Sequence, residues 1–93
     1  AWTADAVATA KRDLARGEVL DGEGGFLVYG RLAPAAESRR AGGLPIGLAH
    51  GVRLRRPVAR GRPVRWEDVE VDEDAEAVRV RREMEATSLP AAP

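Results

Sequence analysis

The segment from Arg12 to Leu20 reads RDLARGEVL, and 44 positions later the segment from Arg56 to Val64 reads RPVARGRPV. Each holds a branched apolar residue, then Ala-Arg-Gly, then two positions, then a second apolar residue. Lys11 and Arg12 align with Arg55 and Arg56, Leu14 with Val58, Gly17 with Gly61, and Leu20 with Val64. A glycine at that place supplies the positive φ that a tight turn or bulge requires, so Gly17 and Gly61 are read as structural turns. This doubling constrains the fold more than any other feature. Two copies are too few for a solenoid, which needs about three or more repeats. Two copies within one small domain predict similar hairpin-like units packed around the strands between them.

The chain has 93 residues, enough for one small domain with a modest core. It has no Cys, which excludes a disulfide, a thiol nucleophile and a Cys-based zinc site. No stretch approaches the roughly 20 apolar residues of a membrane span. Asp5, Lys11 and Arg12 interrupt the only region that would suit a signal peptide. The chain begins with Ala rather than Met and is read as part of a longer polypeptide. Its formal charge is zero but segregated. Residues 1–66 carry twelve Lys or Arg against six Asp or Glu, and residues 67–93 carry three against nine. A nucleic-acid face needs a basic block left unneutralised, with aromatics for stacking. Here Arg53, Arg55, Arg56, Arg60, Arg62 and Arg65 run straight into Glu67, Asp68, Glu70, Asp72, Glu73, Asp74 and Glu76. The expectation is two solvated blocks that keep the domain soluble, with neither nucleic acid nor membrane as partner.

Residues 1–5 read as the end of a linker, with Trp2 docking on the domain. AVATA (6–10) suits a short strand, and DGEGG (21–25) is a loop. FLVYG (26–30) has the strongest strand composition and is closed by Gly30; Phe26 and Tyr29 are read as core and rim. APAAESRRAGG (33–43) reads either as a short helix, with Pro34 near its start and Gly42 past its end, or as an ordered loop. LPIGLAHG (44–51) is read as buried irregular backbone, because Pro45 and Gly47 interrupt any long element. VRLRR (52–56) alternates with a period of two, the pattern of a half-buried strand. RWEDVEV (65–71) contains a turn in which an acid of Glu67-Asp68 caps backbone N–H groups, followed by strand spacing at Val69 and Val71. From Asp72 acids come first and arginines follow, which suits the helix dipole. Ala77, Val80 and Met84 give that helix one narrow apolar face. The organisation expected is a linker end at 1–5, a strand-rich domain at 6–71, a C-terminal helix at 72–87 and a disordered tail at 88–93.

The pattern AKRDLARGEVLDGEG, LPIGLAHG and RRPVARGRPVRWEDV resembles the SAF domain, a module related to type III antifreeze proteins and to the C-terminal domain of sialic acid synthases. The resemblance spans residues 6–71 and rests on Ala10, Leu14, Gly17 and Leu20 in the first turn and on Pro57–Val69 in the second. It implies a mostly β fold of the β-clip type, with short strands, long loops and a C-terminal helix. DGEGGFLVYGRL, GGLPIGLAHGVRL and VRVRREMEA are similar to one subgroup, the C-terminal SAF domains of NAD(P)-dependent, homoserine-dehydrogenase-like oxidoreductases. That similarity implies a non-catalytic, cytoplasmic accessory domain. Such a domain would pack on or cover the catalytic domains of its parent chain, or support homo-oligomerisation. NAD(P) would then be bound upstream, and no cofactor within these residues. A free-standing small-ligand or carbohydrate-binding module is the alternative.

No Gly-x-Gly-x-x-Gly turn opens a helix after a strand, and GEGG precedes a strand instead. His50 is the only His; general-base work would need a partner carboxylate and a pocket, and packing or hydrogen bonding is the simpler role. One His and no Cys leave no metal site, and Asp72-Glu73-Asp74 lacks the spacing of a calcium loop. No catalytic residue is assigned. Four residues are candidates for ligand or interdomain contact: Lys11, the lone lysine; Tyr29 and Arg31 at the strongest strand; and His50. Arg31 is singled out because, by the resemblance to sialic acid synthases, a related domain reaches an Arg toward a neighbouring active site.

Overall fold

Ala4–Ala10 forms strand β1, buried on both faces from Val7 onward, and it pairs antiparallel with β3, Val28–Pro34, from Ala4 opposite Pro34 to Ala10 opposite Val28. The computed structural model describes residues 4–72 and 74–88. Trp2 and the tail from residue 89 lie outside them. A second sheet joins β2, Val19–Asp21, to β4, His50–Leu54, and β4 to β5, Val69–Glu70, all antiparallel. Helix α1, Ala35–Ala41, follows β3 directly, and Gly42 ends it in the left-handed conformation at φ 70°. Single 3-10 turns occupy Ile46–Leu48 and Trp66–Asp68, and helix α2, Glu76–Ser88, closes the described chain. The architecture is that of a small β-clip domain, as expected.

The repeat shapes the fold, but neither copy is a hairpin. The two turns face each other across a local two-fold axis at Leu14 and Val58, whose amides donate to each other's carbonyls at 2.8 and 3.0 Å. Gly17 N donates to Leu54 O at 2.9 Å, and its counterpart Gly61 N donates to Ala10 O at the same distance. Leu54 N donates to Glu18 O at 2.9 Å, and Ala10 N to Arg62 O at 3.0 Å. Every one of these bonds maps onto its partner by the 44-residue offset. Each turn therefore pairs with the strand of the other copy. Asp13 adds a side-chain tie, its Oδ1 accepting from Arg60 N at 2.9 Å. Gly17 and Gly61 have φ of 91° and 81°, as a left-handed turn residue must.

Leu14, Leu20, Val28, Leu44, Leu54, Val58, Val64 and Val69 fill the core between the two sheets. Burying a Leu or Val side chain stabilises by about 1.5–3 kcal/mol each. LPIGLAHG contributes Leu44, Ile46 and Ala49 to that core, but the reading of 44–51 as buried irregular backbone is corrected in part: Ile46–Leu48 is a 3-10 turn, and the exposed His50 and Gly51 open β4. Pro45 and Pro63 lie against β1 opposite Val7 and Thr9, where a residue lacking an N–H limits the ladder.

Four further expectations are corrected. Residues 4 and 5 belong to β1 rather than to a linker, and Asp5 is buried. Strand β3 starts at Val28, two residues after FLVYG begins, and runs through Gly30 to Pro34, because β1 offers partners along that whole length. Gly30 suits that stretch since a Cβ there would stand 3.2 Å from Ile46. Phe26 is not a core residue: it is 85% exposed, and Val28 takes the buried place. Finally, the buried apolar residue of α2 lies outside the narrow face formed by Ala77, Val80 and Met84. Val78 is the buried one, and Val80 and Met84 rank among the exposed apolar residues.

The roll of α2 is set by polar anchors. The Arg81 guanidinium meets both carboxylate oxygens of Asp5, Nη1 to Oδ1 at 3.0 Å and Nη2 to Oδ2 at 2.5 Å, and its Nε bonds Glu85 at 2.8 Å. Ser38 Oγ on α1 donates to Asp5 Oδ2 at 2.7 Å. Arg82 lies over the Trp66 ring, 3.8 Å from its centre. A buried carboxylate satisfied by a bidentate guanidinium outweighs a narrow stripe of Ala, Val and Met.

Candidate functional site

Two surface features are built with care, a loop that presents Phe26 and a cleft beside Arg31. The loop begins at Asp21, the last residue of β2. Its Oδ2 accepts from Phe26 N at 2.7 Å and its Oδ1 from Leu27 N at 3.2 Å. Those two amides matter most at Phe26, and despite the opposing effect of burial they hold the Asp21 carboxyl below the ordinary carboxylate range. Gly25 must be glycine, because a Cβ there would collide with that carboxyl group. Lys11 Nζ donates to Gly25 O at 2.6 Å from the other side. His50 sits under the loop: it pairs with Asp21, and a Cβ on Gly22 would stand 3.2 Å from its side chain. Gly22 and Gly24 take φ of 75° and 83°.

Lys11 and His50, two of the four candidates, thus buttress one loop. What that loop displays is an aromatic ring in water. The Asp21 carboxylate itself takes the amides of Phe26 and Leu27, so the loop is closed by its own acid.

The cleft lies on the opposite face of the β1–β3 ribbon from the core. Strand alternation sends Ala8, Ala10 and Val28 into the core and Val7, Thr9, Arg31 and Ala33 to the other side. Helix α1 closes one flank with Glu37, Ser38 and Ala41. Gly43 and the segment Gly61, Pro63 and Arg65 close the other, leaving a volume of about 400 Å³. Gly43 is tight against its floor, since a Cβ would meet Val7 at 2.9 Å and Ser38 Oγ at 3.1 Å. Arg65 is positioned by the 3-10 turn after it: its N–H donates to Asp68 Oδ2 at 2.9 Å, and Asp68 N returns a bond to its carbonyl at 2.9 Å. That is the acid cap expected at Glu67-Asp68. The Arg65 side chain reaches Glu67 only at 3.6 Å and is half exposed. Arg31 makes no ion pair among the described residues. Tyr29 lies two residues along the same face and is 38% exposed.

The four sequence candidates therefore fall into two places. Arg31 and Tyr29 share the cleft side of β3, and Lys11 and His50 share the loop. Sequence reasoning missed Arg65, which was read only as part of a basic block, and it missed the exposure of Phe26. A signal for the second was present: Asp21 stands five residues before Phe26 across three glycines, the spacing of a carboxylate that caps its own loop. Among the described residues no group of three His, Cys, Asp or Glu converges as a metal site, and no helix is long and apolar enough to cross a membrane.

The family model of the SAF domain matches residues 5–70 of the chain. No curated protein shows a significant match to it.

Proposed function

The chain belongs to the SAF domain family, and from that premise we propose that it serves as the non-catalytic C-terminal accessory domain of a larger, cytoplasmic, NAD(P)-dependent oxidoreductase. On this reading the nicotinamide cofactor and the reacting groups belong to preceding domains. This module packs on them and helps to shape the mouth of their active site or their assembly. The observation that carries the reading is Phe26, 85% exposed on a loop that Asp21, Lys11 and Gly25 hold rigid. An aromatic ring left in water contributes nothing to the stability of the domain itself. A domain that docks gains a preorganised anchor, since aromatic residues are enriched at interface centres and ordering costs are met in advance.

The test is Phe26→Asp in the polypeptide that carries this domain. The isolated 93-residue chain with that change should keep its circular dichroism and urea midpoint, because the ring makes no core contact. The longer polypeptide should lose turnover or change its assembly. Unchanged turnover and assembly, both with Phe26→Asp and after deletion of residues 1–93, would refute the reading.

A further inference from the structure

We propose that the cleft between β1, α1 and Arg65 binds a small organic monocarboxylate with an apolar body. The cleft belongs to this chain alone, so the inference stands whether or not another domain docks on Phe26. Its volume of about 400 Å³ lies within the range of small-molecule sites. Val7, Ala33, Pro34, Ala41 and Pro63 supply apolar surface to receive the body of such a ligand. Arg31 enters from β3 and Arg65 from the opposite flank. Arg65 has only a long contact to Glu67, and Arg31 has no ion-pair partner among the described residues. Both arginines line the cleft, and a guanidinium can meet a carboxylate with two parallel N–H bonds.

The charge of the ligand follows from the third ionisable group. Glu37, in the first turn of α1, lines the same cleft and makes no ion pair among the described residues. Arg31 and Arg65 stand against Glu37, and Glu67 already contacts Arg65, so the surplus of positive charge is at most one. A phosphate or a dicarboxylate would bring a second negative charge toward Glu37. The site therefore selects a monoanion and rejects both.

Benzoate, benzamide and inorganic phosphate are the probes, added to the 15N-labelled chain and followed by amide NMR. Benzoate should shift the resonances of Val7, Thr9, Arg31 and Gly43 with an affinity in the millimolar range, while benzamide and phosphate should not. Arg31→Ala and Arg65→Ala should each weaken benzoate roughly tenfold or more, the loss expected for a charge-assisted contact. Both side chains are exposed, so each variant should fold as the parent does. Glu37→Gln should tighten benzoate and admit phosphate. The proposal is overturned if benzoate leaves those resonances in place, if the arginine variants bind it as the parent does, or if phosphate or benzamide shifts them as strongly.

Discussion

Replacing Arg81 by Met tests what fastens α2 to the domain. The aliphatic stem of Arg81 is kept and its charge is lost. In the native chain the Asp5 and Arg81 side chains are 5% and 10% exposed. Arg81→Met leaves the Asp5 carboxylate buried, with Ser38 Oγ as its remaining side-chain donor. Removing one member of a buried pair costs about 3–5 kcal/mol, and the surviving Ser38 bond argues for the lower end, about 3 kcal/mol. With a urea m-value of about 1 kcal/mol/M for a small domain, the midpoint should fall by about 3 M.

The pH dependence sharpens the test. Burial alone would raise the Asp5 carboxyl, but the hydrogen bonds from Arg81 and Ser38 and the Arg81 charge hold it below its ordinary 3.8. A depressed carboxyl contributes stability that is present above its ordinary value and is lost as pH falls through its folded-state value. In the variant burial prevails, the carboxyl is raised, and acid relieves the strain instead. The gap between the two proteins should therefore be widest near neutrality and narrow as pH falls through 3.8. Urea melts followed by circular dichroism at neutral and acid pH decide it. A deficit below about 1 kcal/mol at neutral pH, or one that does not change with pH, would refute the reasoning. Asp5→Leu combined with Arg81→Met should recover part of the loss, since an apolar pair replaces a buried ion pair at little cost while Ser38 Oγ loses its acceptor and Glu85 its bond from Arg81.

Gly17→Ala and Gly61→Ala should each destabilise by about 1–2 kcal/mol through backbone strain alone, because neither position has an atom within 4 Å of a new Cβ. The local two-fold predicts similar costs, and urea melts that rank one far above the other would contradict it. Leu44→Ala, at 0% exposure, should cost about 2–5 kcal/mol, whereas Leu32→Ala, at 77% exposure, should change stability by about 0.5 kcal/mol or less. Asp21→Asn should speed amide exchange at Phe26 and Leu27 and leave the core amides protected. In the native chain the same loosening should appear only as pH falls through the folded-state value of Asp21, which lies below 3.8.

Much of the local structure was legible in the sequence. Gly17 and Gly61 declare their turns because only glycine takes that φ cheaply. The Val52–Leu54 alternation declares a strand, Gly42 stops α1, and Asp68 caps the turn before β5. Each depends on a residue and its near neighbours. What the chain could not announce was partnership. The two turns are visible as copies, but period and composition do not say whether each folds on itself or pairs with the other. Only the packed structure joins Leu14 to Val58 and Gly17 to Leu54. Phe26 has the composition of a core residue and is placed in solvent by Asp21. Val78, outside the stripe of Ala77, Val80 and Met84, is the residue that α2 buries, and Arg81 fixes that roll by finding a carboxylate 76 residues away. Arg65 reads as one arginine among six in its block, and it becomes a wall of the cleft because Thr9 lies against Pro63 and Gly43 against Arg65. Turn geometry and strand period are written in neighbouring residues. Which strand pairs, which ring is exposed and which arginines converge depend on contacts between distant parts of the chain, and those exist only in the folded state.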